Sequence, residues 1–213
     1  MKLSKSDVFS LIIIIILFIS SFYLYPRVPE RIPIHWNASG EINGYGPRFV
    51  GLFLMPIIAL FIGLMFFLIP KIEVYKKNIG DFQKHLDGIK IVFLLFFAGM
   101  YAMIIIAIQK PFNISYFIAP ALGVLIYYVG WTMQFAKRNF FVGIRTPWTL
   151  SSDKVWDKTH KIGSVLFRTV SIFIMIAFVF PRFFFWIFLT PLLGVVIYLY
   201  VYSYIEFTKE EKK

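Results

Sequence analysis

Cysteine is absent from the 213 residues of the chain, which excludes disulfide bonds, thiol catalysis and metal sites built on cysteine. Charge is also scarce, because Asp, Glu, Lys and Arg make up 15% of the residues, against about 25% in a typical soluble domain. The sequence contains no HExxH, no GxSxG and no glycine-rich phosphate-binding loop. We therefore expect a protein that is not an enzyme and that carries no cofactor and no metal.

Apolar residues are present in excess. They make up 59% of the chain, with 26 Phe and 12 Tyr among them, whereas a soluble domain is about 45–50% apolar. A soluble fold of this length could not bury so much apolar surface. The first partner that the composition predicts is the lipid bilayer.

Six stretches of the chain are long and apolar enough to cross a membrane, since about 20 residues of helix span a hydrocarbon core of about 30 Å. We predict an all-α membrane protein, a bundle of six transmembrane helices that forms one domain over residues 1–213. The fifth stretch is short, so its helix should begin near Ser152. The predicted spans are Val8–Tyr25, Phe49–Ile69, Ile89–Ile108, Tyr116–Ala136, Ser164–Phe180 and Phe183–Tyr204.

Lys and Arg are distributed unequally between the two sides of these spans. One side, which includes both termini, carries 15 of them and the other carries 5. Positive residues are in excess on the cytoplasmic side of membrane proteins, so both termini should be cytoplasmic in a protein of the cell membrane. The net charge of +11 then reflects flanks that face anionic lipid, and we expect no direct binding of nucleic acid.

The domain divides into a first helix pair with its loops, residues 1–88, and a four-helix portion, residues 89–213. The first part ends in an amphipathic segment in which apolar residues recur at helical spacing. This pattern indicates an interfacial helix or an extension of the third span, and lying on lipid is the expected role. The apolar residues of this face are Tyr75, Ile79, Phe82, Leu86 and Ile89.

The outer loop, residues 26–48, should contain a short strand. Ile32, Ile34 and Trp36 alternate with other residues, and the segments Asn37–Gly40 and Asn43-Gly44 after them are typical of turns. We expect a compact structured cap on the bundle. His35 suggests a metal site with Glu30 or Glu41, but one His and two scattered acids have no ligand spacing.

The cytoplasmic loop, residues 137–163, leads into the fifth span. Ser151 or Ser152 is expected to cap a helix whose first turn carries Asp153. On that helix Asp153, Asp157 and His160 share a face. This face suggests either a divalent-ion or acid–base site, or an interfacial helix with solvated charges.

Arg168 is the clearest charge inside a predicted span, because no Asp, Glu or His lies in any of the six. Charges at this depth are costly and often functional. Arg168 either extends its long side chain to the headgroups or faces the bundle and holds an anion.

Each of the two loops contains a sequence motif. The motif of the outer loop consists of Pro29, Pro33, His35, Trp36, Asn37, Gly40 and Gly44. The motif of the cytoplasmic loop consists of Asn139, Gly143, Arg145, Thr146, Pro147, Trp148, Ser151, Asp153, Trp156, Asp157, Thr159, His160 and Gly163. The outer-loop motif resembles the signature of a widespread bacterial and archaeal membrane module of undefined activity. The cytoplasmic-loop motif resembles the signature of the SdpI-type immunity family, in which both modules occur in one six-span chain.

The resemblance implies a role in immunity and signalling. Members of the family are implicated in protecting a cell from a secreted membrane-active peptide toxin, and the founding type is thought to tether a soluble transcriptional repressor. The implied partners are a secreted peptide toxin at the outer loop and a soluble regulator at the basic cytoplasmic loops.

Two other functions remain open at this level. A small-solute or lipid transporter or channel predicts a polar cavity around Arg168, Gln134 and Thr132. A membrane-embedded metal enzyme would use Asp153, Asp157 and His160.

Overall fold

The computed structural model describes residues 3–212. Six of its helices are long and apolar enough to cross a bilayer, which confirms the predicted six-helix membrane fold. Met1, Lys2 and Lys213, which the predicted domain includes, lie outside the described residues. The elements are α1 (Lys5–Leu24), β1 (Arg31–Trp36), β2 (Ile42–Pro47), α2 (Arg48–Ile72), α3 (Lys76–Asp81), α4 (Gln83–Gln109), α5 (Ser115–Met133), α6 (Pro147–Ser151), α7 (Asp153–Ile176), two 3₁₀ turns (Ala177–Val179 and Pro181–Phe183) and α8 (Phe184–Glu211).

The two ends of the bundle differ in structure. One end, called the hairpin end, consists of the antiparallel pair β1–β2, the α4–α5 connection (110–114) and the turns between α7 and α8. The other, called the termini end, consists of α3, the 134–152 connection with α6, and the first and last of the described residues. The strand predicted from residues 32–36 is confirmed as β1.

The outside of the bundle is apolar. Large hydrophobic side chains project from it with most of their surface free, such as Ile19 at 62%, Phe61 at 65% and Ile197 at 64% exposure. In water such a surface would be an aggregation hazard, whereas in a bilayer it is in contact with acyl chains. The exposure pattern therefore agrees with the six-span fold.

Close packing joins α5 to α7, the most extensive helix–helix contact of the protein. Lipid removes most of the hydrophobic drive for helix association, so small residues that let backbones approach become important. Gly123 of α5 illustrates this, because a Cβ there would lie 2.2 Å from Cγ of Met175 and 3.0 Å from the carbonyl oxygen of Ser171. No larger residue fits without moving α7.

Polar contacts connect α1, α2 and α4 inside the bundle. Ser21 is fully buried, and its hydroxyl contacts the carbonyl oxygens of Leu17 and Leu52 at 2.9 and 2.7 Å and Tyr101 Oη at 3.0 Å. Such bonds satisfy hydroxyls that lipid could not solvate. They hold three helices together near the hairpin end.

A buried lysine connects α1 and α4 at the termini end. Lys90 is 2% exposed, and its ammonium lies 2.7 Å from Asp7 and 3.4 Å from Asp87. It also donates to Ser6 Oγ at 3.0 Å. The sequence places Lys90 at a membrane edge, and the fold pairs it there with two carboxylates.

The amphipathic segment packs on protein, so its expected place on lipid is wrong. Ile79, Phe82 and Leu86 are each 1% exposed. They belong to a core cluster with Phe66, Ile69 and Trp156. The apolar face itself was predicted correctly. Its second half lies on α4, which begins at Gln83 and continues into the third span. The 134–152 connection and α7 cover this face in place of lipid.

Candidate functional site

Asn139 sets the turn at the start of the long connection between α5 and α6. Its amide donates to the carbonyl oxygens of Lys137 and Val142 at 2.8 and 2.9 Å. Its Oδ1 accepts from the backbone N–H groups of Phe141 and Val142 at 2.9 and 2.7 Å. These four bonds use the full donor and acceptor capacity of the amide. Asn139 therefore shapes the backbone and is not free to bind a ligand.

Glu73 joins this turn to the end of α2. The side chain is fully buried, and its two carboxylate oxygens accept from the backbone N–H groups of Tyr75 and Phe140, each at 2.9 Å. Bonds to N–H groups compensate a buried carboxylate. Sequence reasoning missed Glu73, although an acid directly after an apolar span and among lysines was a signal that could have found it.

The centre of the cytoplasmic-loop motif is a stack of Trp156 and His160, with ring centroids 4.0 Å apart. Trp156 is fully buried and donates from Nε1 to the carbonyl oxygen of Ala136 at 2.7 Å. Nδ1 of His160 donates to the Trp156 carbonyl oxygen at 2.9 Å, and Nε2 accepts from the Ile144 N–H at 2.9 Å. A nitrogen that accepts carries no proton, so the bonding defines a neutral imidazole.

Two glycines of the motif allow this packing. Gly143 has φ +125° and lies against the His160 ring. A Cβ at Gly163 would lie 2.6 Å from Cδ1 of Ile144. The loop thus folds directly onto the start of α7.

The middle of the motif binds α8. Thr146 caps α6 in a reciprocal pair with Thr149, and its hydroxyl lies 2.9 Å from Ser203 Oγ. Trp148 packs edge-on against Tyr200, with ring centroids 5.0 Å apart, and is 5.1 Å from Tyr204. These contacts hold the loop across the end of the last helix.

Ser152 is the residue that caps α7, accepting from the Val155 N–H at 3.2 Å. Its hydroxyl also donates to Glu210 at 2.7 Å. Nearby, Glu206 pairs with Lys158 and with Lys209. The last helix is therefore tied to the start of α7 by both hydrogen bonds and ion pairs.

Some residues of the cytoplasmic-loop motif face away from the protein interior. Asp153 is 73% exposed and pairs with Arg138 at 2.9 Å. Arg145 is exposed and donates to the Phe140 carbonyl oxygen. Thr159 is buried. The exposed members of the motif are Arg145, Pro147, Ser151, Asp153 and Asp157.

The acid–acid–His face does not form one site. Asp153 and Asp157 are exposed, whereas His160 is buried and uses both ring nitrogens within the protein. Among residues 3–212, no three His, Cys, Asp or Glu side chains are grouped so that they could hold a metal ion. His35 with Glu30 or Glu41, which also lie within residues 3–212, forms no such group either.

The outer-loop motif folds the tip of the hairpin onto the α4–α5 connection. Asn37 Oδ1 accepts from the N–H groups of Ser39 and Glu41, each at 3.0 Å. Gly40, at φ +80°, accepts through its carbonyl oxygen from the Ile114 N–H at 2.9 Å. The amide of Asn113 donates to the Ser39 carbonyl oxygen at 2.7 Å. The cap is thereby attached to the connection between α4 and α5, which is distant in sequence.

The other outer-loop residues have different positions. His35 is exposed, and its Nδ1 lies 2.6 Å from Asn43 Oδ1 across the hairpin. Gly44 pairs with His35 in the strand register. Pro33 is buried, and Pro29 is exposed before β1.

A cavity of about 290 Å³ lies between the hairpin and the helices. Its lining is mostly apolar and comes from β1, α2, α4, α5 and the start of α8. Trp36 belongs to this lining. Pockets of this kind, apolar with a few polar groups, are the common form of small-ligand sites.

Within residues 3–212, the three polar groups expected to line a transporter's cavity each bond locally. Nε of Arg168 donates to the Ser164 carbonyl oxygen at 3.1 Å. Thr132 is buried and donates to Val129, and Gln134 is exposed and donates to Trp131. Each group is thus bonded to the backbone of its own helix, and the termini-end cavity that Gln134 lines includes neither Arg168 nor Thr132.

Comparison with known proteins gives three findings. A family model described as Domain of unknown function (DUF1648) matches residues 12–60, and one described as the SdpI/YfhL protein family matches residues 136–204. The first segment contains the β1–β2 hairpin, and the second contains most of the 134–152 connection. The chain is similar to Immunity protein SdpI of Bacillus subtilis (strain 168), with 26% identity over 160 residues, which is 75% of each chain. No solved structure gives a significant match.

Proposed function

Because the chain is an SdpI-type membrane protein, we propose that it protects its cell against a secreted membrane-active peptide toxin without catalysing a reaction. The observation that carries this proposal is the similarity to Immunity protein SdpI over three quarters of both chains. A match of that extent, 160 residues, is longer than either loop with its neighbouring helices and concerns most of the bundle.

The proposal places the hairpin end outside the cell and the termini end in the cytoplasm. The 15-to-5 distribution of Lys and Arg supports this orientation. A toxin that arrives from outside then meets the hairpin first. Its attachment to the α4–α5 connection makes the hairpin a fixed part of the bundle.

The termini end would contact a soluble regulator. The interior of the loop motif is occupied by its own bonds, so a partner meets its exposed side chains. Arg145, Lys154 and Lys161 are exposed there, and these cations suit an acidic partner surface. In this view Trp156 and His160 hold the shape of the surface and do not touch the partner.

Survival of a toxin-sensitive host tests the proposal. Cells that express the wild-type chain are challenged with membrane-active peptides beside cells that express His35→Ala or Arg145→Ala, with membrane levels matched. Both residues are exposed, so these variants are expected to fold. We expect protection by the wild type and its loss in His35→Ala.

Arg145→Ala separates immunity from signalling. It should keep protection but release a co-expressed regulator from the membrane fraction. Wild-type protein that is well inserted and protects against no peptide would overturn the proposal and favour transport.

A further inference from the structure

A basic cavity of about 300 Å³ lies at the termini end, between the start of α7 and the end of α8. Its lining shares no residue with the cavity under the hairpin. Within residues 3–212, four lysines and two glutamates line it, so positive charge is in excess. The lining residues are Lys154, Val155, Lys158, Glu206, Lys209, Glu210 and Lys212.

Both carboxylates of this lining are already occupied by the protein. Glu206 is 7% exposed, and its two oxygens pair with Lys158 and, at 2.8 Å, with Lys209. Glu210 accepts from the Ser152 hydroxyl at 2.7 Å. A lysine ammonium has three N–H donors, so Lys158 and Lys209 keep donors after they bond to Glu206. The buried acid therefore fixes two ammonium groups at the cavity without neutralising its lining.

The other two lysines of the lining are Lys154 and Lys212. Among residues 3–212, neither has a carboxylate within ion-pair distance. The cavity thus offers cations and N–H donors in excess, and it requires a ligand with negative charge and several acceptor oxygens. A phosphate group has both, and basic pockets between membrane helices are typical sites for phospholipid headgroups.

The tyrosines near the cavity place it at the depth of the lipid headgroups. Tyr198, Tyr200 and Tyr204 of α8 lie within about three helical turns of Glu206, and each is about half exposed. Tyrosine is enriched where a membrane helix passes from hydrocarbon to the headgroup layer. The lysines of the lining are therefore within reach of lipid phosphates.

Exposed apolar residues continue from these lysines into the membrane. Val165 follows Lys158 on α7 by seven residues, and Ile205 precedes Lys212 on α8 by seven residues. Residues seven apart lie on the same face of a helix. Val165 is 53% and Ile205 is 42% exposed, so acyl chains attached to a bound phosphate have an apolar surface to lie on. A free phosphate ion would use the lysines alone.

We propose that this cavity binds the phosphate group of an anionic phospholipid, whose oxygens accept from the four lysines and whose acyl chains lie along α7 and α8. A zwitterionic headgroup fits less well, because its own cation would meet four lysines and two carboxylates that are already occupied. The site is independent of toxin protection. Arg145 and Lys161, which are not part of the lining, stay available to a soluble regulator.

Quenching by brominated lipids measures which lipid occupies the site, and a chain without cysteine accepts a single label. Val165→Cys carries the fluorophore on the proposed acyl path, and Phe61→Cys, 65% exposed on α2, is the control. The nanodiscs contain equal amounts of phosphatidylglycerol and phosphatidylcholine, one of them brominated at a time. We expect phosphatidylglycerol to be enriched about threefold or more at Val165→Cys and not at Phe61→Cys. Equal quenching by both lipids at Val165→Cys would overturn the proposal.

A pair of double variants tests the lysines. Lys154→Gln/Lys212→Gln removes two cations of the lining and keeps the ion pairs of the other two, so it is expected to fold. Lys77→Gln/Lys84→Gln changes the net charge equally at exposed positions of α3 and α4. The enrichment at Val165→Cys should disappear in the first variant and persist in the second. Its loss in both, or in neither, would contradict a site formed by these lysines.

Inorganic phosphate distinguishes the lipid from the bare anion. Short-chain phosphatidylglycerol, short-chain phosphatidylcholine and inorganic phosphate are added separately to the protein in neutral detergent, at equal concentration and ionic strength. We expect phosphatidylglycerol alone to raise the melting temperature, because it combines the anion with acyl chains. An equal rise with phosphate would assign the cavity to the free ion and reject the lipid. A rise with phosphatidylglycerol that persists in Lys154→Gln/Lys212→Gln would place the lipid elsewhere and reject the cavity.

Discussion

Gly143 lies so close to His160 that a Cβ on the glycine would be 2.3 Å from Nε2 of the imidazole. The same nitrogen accepts from the N–H of the following residue, Ile144, at 2.9 Å. The loop backbone therefore crosses the edge of the ring at hydrogen-bond distance. Only glycine leaves room for this crossing, and its φ of +125° is a region that other residues rarely adopt.

Gly143→Ala should lower the free energy of unfolding by about 2–4 kcal/mol, because backbone strain adds to the loss of the Ile144–His160 bond. Thermal unfolding of the purified protein in detergent measures the change. Gly194→Ala is the control, since a Cβ there meets no atom within 4 Å, and it should be neutral or slightly stabilising. Equal losses in both variants would contradict the close approach.

Trp156→Phe should destabilise the protein by about 2–3 kcal/mol, because the Ala136 carbonyl oxygen loses its donor and a void forms in the core. Trp186→Phe provides the comparison, as that indole is 60% exposed on α8 and its replacement should change little. Denaturant unfolding followed by circular dichroism reports both. If the two variants unfolded at the same midpoint, the inference that the buried Trp156 stabilises the fold would be contradicted.

Asp7→Asn should cost about 1–3 kcal/mol, because it leaves the buried Lys90 with Asp87 as its remaining carboxylate. The double variant Asp7→Asn/Lys90→Met should recover part of this loss, since it removes the buried cation too. Lys84→Met, at an exposed position of α4, controls for the loss of a lysine. Purely additive effects of the two changes would show that the ion pair does not join α1 to α4.

Single cysteines should report the orientation of the bundle. Glu41→Cys at the hairpin tip should react with a membrane-impermeant maleimide on intact cells, because the positive-inside rule places that end outside. Lys154→Cys at the start of α7 should react only after permeabilisation. Both positions are exposed, so access through protein does not limit the reaction. The reverse pattern would invert the proposed topology.

Hydropathy was sufficient to predict the six spans, since crossing lipid requires a long apolar run wherever the helix packs. The strand at residues 32–36 followed from alternation, although its partner β2 has weaker alternation and was not predicted. Span limits were less accurate. The third spanning helix, α4, begins at Gln83, earlier than its apolar run suggests, because protein and not lipid surrounds its first turns.

The candidate site was predicted as a set of residues but not as an arrangement. Helical spacing put Asp153, Asp157 and His160 on one face, yet the fold exposes the acids and buries the imidazole. Spacing gives the angle of a side chain around its own helix. It does not tell which neighbouring backbone covers that side chain, and here residues 143–144 do so.

Composition and local pattern thus account for the spans, the unequal charge of the two ends and the apolar face of residues 75–89, because each depends on the solvent that a segment meets. Contacts between segments distant in sequence account for the rest. Glu73 bonds to Phe140, Ser21 to Tyr101, and the hairpin tip to Ile114. Such bonds require atoms within about 3 Å, and the packing of the whole chain brings them to that distance.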